Sequence, residues 1–591
     1  MDPVLGVKRS ISGQSWFPRL GNSSSFDRLV RAIMQRNKLP EVMARAIVAR
    51  GIHLDDVDAY LDPKVRYEMP DPMKLSGMAA GAQRIVEAVL TGEIIGIFAD
   101  YDVDGATSAA LLKKFLDAIN VETRLYIPDR LTEGYGPNEI GLRKLKTQGA
   151  SLVVTLDCGI LAFTVLDQMS DEGLDIIVVD HHMAEPQLPT AKAVINPNRL
   201  DDDSGLGYLA AVGVTYMLVV AVNRALREAG WFAEKVEPNL LSFLDLVALG
   251  TVCDVVDLKG LNRAYVSQGL KVLLQQKNIG LRALRAAAKV DRKPDSYQLG
   301  FILGPRINAS GRVGQSDIGA LLLSTNDPNQ ADKMAEILEE LNEERKMIEA
   351  KVLEQAVFEA SKLPDEDPVV VVSGVNWHPG VIGIVAARLR EKFDRPACVI
   401  SLTGEIGKGS GRSILGWHLG SSIIAGVQSN QLLTGGGHAM AAGFSIEASK
   451  VEDFRKFLND RYKRETQIGD IQSILKIDGV ISAFAANEGL SRTLNKLEPF
   501  GAGNPEPRFV IPSLRVKYSS VVGEQHIRCS FISGDTTTIE GIAFRSIDKE
   551  IGRALLQNNG PSLHVAGKIR RNDWKGKTRM QVIVEDLALT N

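Results

Sequence analysis

Cysteine is scarce in this chain of 591 residues: Cys158, Cys253, Cys398 and Cys529 are the four present, far apart and never as a CxxC pair. A disulfide framework and a thiolate zinc site are both excluded by that spacing, and a reducing cytoplasm fits it best. Long hydrophobic runs are missing too. No stretch of 18 apolar residues is available to span a bilayer, and the opening MDPVLGVKRSISGQSWFPRL has no apolar signal core behind its charges. Net charge is nearly absent, since 69 Lys and Arg face 72 Asp and Glu for a total of -3. The chain therefore carries no global polyanion-binding signature, and basic grooves have to be sought region by region. There is no GxxxxGK[ST] loop, which argues against an ATP-driven P-loop enzyme, and no internal repeat or low-complexity tract.

What is present is a globular composition, 45% hydrophobic and 24% charged. The length exceeds what one core supports and predicts roughly three or four domains of ~150 residues. Residues 1–75 contain short helical patterns, FDRLVRAIMQRN and LPEVMARAIVARGI, and close near LDP at Leu61 to Pro63. From 76 to 328 strands and helices alternate. The runs at Ile94 to Phe98, Leu152 to Leu156 and Ile176 to Val179 are short and β-branched, as strands buried on both faces of a parallel sheet should be. Helical patterns lie between them at Thr107 to Ile119 and Ile160 to Glu172, predicting a doubly wound α/β domain. Residues 329–363 read as one long connecting helix with acidic faces, and 364–466 as a second α/β domain. From 467 to 591 mixed-polarity strands alternate with turns, which predicts a small β-barrel.

Carboxylates gather where the strands end. IFADYDVDG places Asp100, Asp102 and Asp104 after the first strand; VVTLDCG places Asp157 after another; IIVVDHH places Asp180, His181 and His182 after a third. Asp254, in LGTVCDVVDL, adds a carboxylate in an apolar setting. Ligands of open parallel sheets bind beyond these carboxyl ends. So many carboxylates together repel one another unless cations neutralise them, and an oxygen-rich set with one or two imidazoles points to Mg²⁺ or Mn²⁺. Two such ions, ~3.5–4 Å apart, suit phosphoryl transfer.

DYDVDG, DCG, DHH and TVCDVV occur in the order of the four motifs of the DHH phosphoesterase family, which this chain resembles. The resemblance implies that Asp102 binds one ion and Asp104 the other, that Asp157 bridges them, and that His181 and Asp254 complete the second ion's ligands. Asp100 and His182 are then nearby groups that support ligands or face the substrate. Pyrophosphatase members of the family have a histidine where this chain has Phe98, so the first ion should be less fully held by protein. The second α/β domain would be the DHH-associated domain and the barrel an OB-fold.

Glycine-bearing segments offer places for phosphate. GPRINASGRVG (Gly304 to Gly314) presents Arg306, Asn308 and Arg312 around a turn; GKGSGRS and LLTGGGHAMAAGF combine glycines with Ser410, Arg412 and His438. Exposed amides and a guanidinium fork are what a phosphate needs. Together with IPDRLTEGYG (Ile127 to Gly136) and LEPFGAGNPEP (Leu497 to Pro507), these segments resemble the single-strand-specific 5′→3′ exonuclease branch of the family. By that resemblance Arg130, Ser410 and Arg412 recognise a 5′-phosphate. The partners implied are single-stranded DNA, a single-stranded-DNA-binding protein and a RecQ-type helicase, with the enzyme a monomer. An additional domain of some longer relatives is expected to be absent.

In GKIRRNDWKGKTRMQVIVED, Lys568, Arg570, Arg571, Lys575, Lys577 and Arg579 surround Trp574 in a hairpin pattern. Cations follow phosphates and an aromatic stacks on bases without reading sequence, the logic of an OB-fold on single strands. Three functions compete at this stage: an exonuclease in DNA recombination and repair, a small-substrate phosphodiesterase or nanoRNase, and a non-catalytic single-strand-binding relative.

Overall fold

Ile94–Ala99, Thr123–Tyr126, Ala150–Leu156, Asp175–Val179 and Ala193–Ile195 pair as one parallel sheet in the computed structural model, which describes residues 2–21, 23–466, 473–557, 560–574 and 577–590. Their spatial order is second, first, third, fourth, fifth. The order reverses beside Ile94–Ala99, so the crevice that opens at a topological switch point lies at the end of that strand. The helix that follows, Val103–Ala118, begins four residues before the apolar periodicity does, because Asp102 caps it by accepting from the amides of Asp104 and Gly105. Two buried helices, Ala211–Glu228 and Leu244–Cys253, belong to the same domain. The long helix Pro328–Ala360 is capped by Asp327, which accepts from Asn329 and Gln330. At 1.5 Å per residue it is about 50 Å long.

The second α/β domain is a mixed sheet in the order Thr434–Gly437, Ala441–Glu447, Ile406–Arg412, Ala397–Thr403, Val370–Val375, of which only the last pair is parallel. The GKGSGR segment is therefore a strand. Its glycines permit close packing: a Cβ on Gly409 would collide with Phe444, and one on Gly411 with Leu419 and Cys398. GPRINASGRV is a helix, Gly304–Val313, and not a turn. A Cβ at Gly304 would strike Cys253, and one at Gly311 the Tyr101 carbonyl.

The chain divides into two compact units, residues 69–256 with 268–470 and residues 1–68 with 257–267 and 471–591. In the second of these a sheet closes on itself. Phe509–Val522, His526–Ile532, Thr538–Ala543, Lys577–Leu589 and Leu563–Trp574 pair in turn, and Leu563–Trp574 pairs back onto Phe509–Val522. Closure leaves no free edge strand in the barrel. The N-terminal helices Ser24–Asn37 and Glu41–Val48 share its core, with Ile33, Met43 and Ile47 in one cluster with Leu497, Phe509 and Phe531. Trp16 is fully buried, and its indole donates to Asp586 at 2.8 Å. Among the described residues no helix is long and apolar enough to cross a membrane.

Arg263 anchors this unit. Its buried guanidinium donates to the carbonyls of Tyr60, Leu497, Glu498 and Pro499 and lies 3.9 Å above the Tyr60 ring. Truncation strands several buried acceptors, each costing about 1–3 kcal/mol. Arg263→Ala is expected to lower the stability of this unit by at least about 3 kcal/mol in denaturant unfolding, and Arg263→Lys to recover only part of that because an ammonium lacks the fork.

Candidate active site

The turn after Ile94–Ala99 packs so tightly that a Cβ on Gly105 would collide with the Asp100 carbonyl. That packing brings Asp100, Asp102 and Asp104 to one edge. Asp104 is fixed by the start of the Ala211–Glu228 helix, accepting from the amides of Ala211 at 2.6 Å and Val212 at 2.9 Å. Asp157 follows the adjacent strand with a left-handed backbone, φ 60°, an uncommon conformation that Asp and Asn adopt more readily than other side chains. Asp180 is fully buried and accepts from the amides of Ile160, His181 and His182 and from the His182 ring at 2.7 Å. It organises the two histidines and does not itself face the cluster's other carboxylates.

Four buried atoms here find no hydrogen-bond partner among the described residues: Asp100 Oδ1, Asp157 Oδ1, His181 Nε2 and Asp254 Oδ2. His181 Nδ1 lies 3.1 Å from the Leu209 carbonyl, so it donates there and leaves a lone pair on Nε2. That lone pair faces Asp157 at 3.3 Å and Asp254 at 3.7 Å. A lone pair aimed at carboxylate oxygens is repulsive without a cation or proton between them. The donor atoms of Asp100, Asp102 and Asp157 lie within 4.8 Å of one another, as do those of Asp104, His181 and Asp254. The residues fit divalent ions, and the oxygen-rich set suits Mg²⁺ or Mn²⁺.

The electrostatics agree. Burial, then the Asp102 charge, raises Asp104 to about 7; burial, then Asp104 and Asp102, raises Asp254 to about 9. Asp157 is pushed well up by burial and by Asp104, Asp102, Asp100 and Asp254. Burial lowers His181 to about 4, which keeps its imidazole neutral as a ligand. For His182 burial pulls downward, but the hydrogen bond and charge of Asp180 outweigh it and raise the ring.

A second cluster is cationic. Arg312, at the end of Gly304–Val313, donates to the Gly380 carbonyl at 2.9 Å and is lowered to about 10 by burial and by the charges of Arg130, Arg345 and Arg412. Arg412 reaches Ser410 Oγ at 3.2 Å and is lowered by burial, then by Arg130 and Arg390. A Cβ on Gly383, in the first turn of the helix Ile382–Phe393, would lie 3.1 Å from both Ser410 Oγ and Arg412 Nη2. Among the described residues no carboxylate pairs with Arg130, Arg312 or Arg412. Guanidiniums crowded around a helix N-terminus without a counter-charge form an anion site. Tyr101 stands between the clusters, with the Arg130 guanidinium 5.1 Å from its ring centre and the neighbouring Asp100 and Asp102 raising its hydroxyl to about 12 after burial.

Family models place the DHH family N-terminal domain at 94–251, the DHHA1 domain at 366–464 and the RecJ OB domain at 477–586. The single-stranded-DNA-specific exonuclease RecJ of Dickeya dadantii is 34% identical over 93% of this chain and 96% of its own length. That of Escherichia coli is 33% identical with the same coverage. The chain belongs to the RecJ family. Among solved structures, RecJ from Thermus thermophilus in complex with Mn²⁺ superposes with a TM-score of 0.79 at 27% identity, covering 95% of this chain and 78% of that one. A Mg²⁺ complex of that RecJ gives 0.74 at 26% identity, with 95% and 76% covered.

Among the remaining candidates in this RecJ-family chain, Arg306 is neutralised, with both its outer nitrogens and Nε taken by Glu339 and the Ile302 carbonyl. Asn308 is half-buried on the Gly304–Val313 helix. His438 is exposed in the turn between Thr434–Gly437 and Ala441–Glu447, at the strand end where Ala441 pairs with Arg412. Three of the six hairpin cations have acidic partners: Lys568 pairs with Glu585, Arg570 with Glu506 and Arg571 with Glu488. The side chains of Trp574 and Lys577, and Lys575 as a whole, lie outside the described residues. Sequence reasoning missed Tyr135, whose hydroxyl donates to the Asp157 carbonyl at 3.1 Å and meets His182 at 3.2 Å. Its signal was the EGYG segment, where Gly134 and Gly136 both take positive φ to present it. Asp100, expected to support ligands or face the substrate, places an oxygen in one of the triads that could hold an ion, and Phe98 is buried against Tyr126.

Asp157→Asn keeps the left-handed backbone and removes one like charge. It is expected to abolish hydrolysis while leaving the metal-free thermal midpoint equal or higher, and to lose the rise in midpoint that Mn²⁺ gives the parent protein. Because the raised carboxylates must shed protons to bind an ion, Mn²⁺ affinity should fall as pH drops from 8 to 6, with proton release measurable by calorimetry in two buffers.

Proposed function

We propose that this protein is a metal-dependent exonuclease that degrades single-stranded DNA from the 5′ end, releases 5′ mononucleotides, and acts in recombination and repair. The observation that carries this reading is the position of Tyr101, which joins the carboxylate cluster on one side to the unpaired guanidinium cluster on the other. A terminal phosphate gripped by Arg130, Ser410 and Arg412, with Arg312 adding charge, sets the next phosphodiester against the carboxylates. An internal phosphate brought to the pocket would have a further nucleotide in the way, so the geometry favours ends.

In this reading Asp100, Asp102 and Asp157 would hold one ion, and Asp104, His181 and Asp254, with help from Asp157, would hold the other. Bound divalent ions would supply a nucleophile at neutral pH and charge to stabilise an in-line displacement. The backbone amides of Ala211 and Val212 keep Asp104 oriented, and the Leu209 carbonyl keeps the His181 tautomer that leaves Nε2 free. His182 holds its Nδ1 proton toward Asp180, with that nitrogen 3.9 Å from Asp157 at the Tyr135 side of the cluster.

The barrel serves as the strand-holding module. It exposes Arg515, Lys517 and Tyr518 on the Phe509–Val522 strand, a cation and stacking combination that tolerates any sequence. The protein acts as a monomer alongside a single-stranded-DNA-binding protein and a RecQ-type helicase that together present single strands.

The test uses 5′- and 3′-labelled single strands, duplex DNA and a dinucleotide, each with Mn²⁺ or Mg²⁺. Mononucleotides released from the 5′ end of single strands are expected, and release from the 3′ end or equal use of duplex would overturn the reading. Arg412→Ala should raise KM for 5′-phosphorylated strands at least tenfold more than for 5′-hydroxyl strands, since only the former lose a charge-assisted pair.

A further inference from the structure

Upstream of the helix that ends in Arg312, the chain carries two large aromatics that the fold does not bury. Tyr297 is 49% exposed and Phe301 71%. Their rings stack on each other, with centroids 5.0 Å apart and planes 24° from parallel. They sit four residues apart, on one face of a helical run that passes from Ser296–Gln298 through a π turn at Leu299–Leu303 into Gly304–Val313. The opposite face is anchored: Leu299 and Leu303 are buried, and Cys253 Sγ reaches the Leu299 carbonyl at 3.4 Å. Cys253 adjoins Asp254, so the run rests directly behind a site carboxylate while its outer face stays bare. π turns are frequent at functional sites, and an exposed aromatic pair beside one is a surface suited to binding.

The surroundings are basic. Arg282, Lys289, Arg292 and Lys293 are exposed in the preceding segment, against Asp291 and the half-buried Asp295. The Arg292 guanidinium lies 5.9 Å from the Tyr297 ring centre. Exposed rings flanked by cations are the elements that hold single strands, rings for bases and cations for phosphates. Neither ring presents a base-reading hydrogen-bond pattern in this stack, so the contact would be sequence-independent. Eleven residues of helix separate Phe301 from Arg312, about 16 Å at 1.5 Å per residue. That distance spans about five nucleotides stacked at ~3.4 Å, or fewer if the strand is drawn out.

We propose that Tyr297 and Phe301 form a base-stacking platform on the catalytic unit, which holds the single strand a few nucleotides 3′ of the bond being cut. This rests on the exonuclease reading and adds to it a strand contact separate from the barrel and from the 5′-phosphate pocket. The platform retains the strand between turnovers while each released nucleotide leaves from the other side.

The full-length protein is compared with a Tyr297→Ala, Phe301→Ala double variant on a 5′-phosphorylated 20-mer and a 5′-phosphorylated dinucleotide, which is too short to reach the platform even when drawn out. KM for the 20-mer is expected to rise about five- to 150-fold, the loss for one base–aromatic stack, with kcat unchanged and kcat/KM on the dinucleotide within twofold of the parent. Phe301→Trp should retain the parent KM. With 2-aminopurine placed singly along the 20-mer, fluorescence should be quenched at one or two positions between the third and fifth nucleotides in the parent and restored in the double variant. An unchanged KM on the 20-mer, an equal loss on the dinucleotide, or no position whose quenching depends on the rings would overturn the platform. Failure of the parent to degrade the 20-mer would overturn the exonuclease reading instead, and the quenching measurement would still decide the platform.

Discussion

Mutual repulsion among buried carboxylates is the constraint around which the catalytic domain is arranged. Burial and the charges of neighbouring carboxylates raise the proton affinities of Asp100, Asp104, Asp157 and Asp254 alike. The fold holds them together anyway, through backbone groups that cannot retreat: the amides of Ala211 and Val212 on Asp104, and the strand partner Val179 whose carbonyl takes the Asp157 amide at 2.9 Å. Stability given up in this way is recovered when cations enter, because an ion binds only the folded arrangement. Metal loading and folding of this region are thus linked by the same charges that make the chemistry available.

The guanidinium cluster is the complementary case. Arg130, Arg312 and Arg412 come from three segments far apart in the chain, and after burial the charge of Arg130 lowers the proton affinity of both Arg312 and Arg412, a strain that an anion would relieve. Negative and positive clusters of this kind would collapse into salt bridges if their side chains could meet. Tyr101 and the turn carrying it stand between them, and the glycines at 105 and 311 allow that turn to be gripped from both sides. Separation of the two clusters by a fixed spacer gives a polyanion one place to be held and another to be cut.

The unit formed by residues 1–68, 257–267 and 471–591 obeys a different logic, that of a small barrel too thin to stand on its own inner face. Its core is extended by the N-terminal helices and closed by Arg263 and by the pair Trp16 and Asp586. Removal of the barrel would strip those helices of their packing as well, so the two ends of the chain act as one structural piece. The pairing of Lys568, Arg570 and Arg571 with glutamates leaves the rest of that surface, including Tyr518, to carry more of any contact with a strand.

Much of this was legible before any tertiary structure. Apolar runs of strand length punctuated by Asp motifs announced a parallel sheet with its site at the strand ends, because strand burial and side-chain period are local properties of the chain. Motif order pointed to the family for the same reason. Long-range pairing was not legible. Arg306 and Arg312 look alike within one helix, but Glu339 neutralises the first from 33 residues away and leaves the second to the guanidinium cluster. The glycine-bearing segment read as a turn became a helix, since only the packing of Tyr101 shows why a side chain is excluded there. Asp100 came within reach of Asp157, and Tyr297 and Phe301 stayed bare, through the placement of elements distant in sequence. Residue type and local pattern determined which groups this protein possesses; the tertiary structure decided which remain unpaired, because a charge or a ring is free only when no distant partner folds against it.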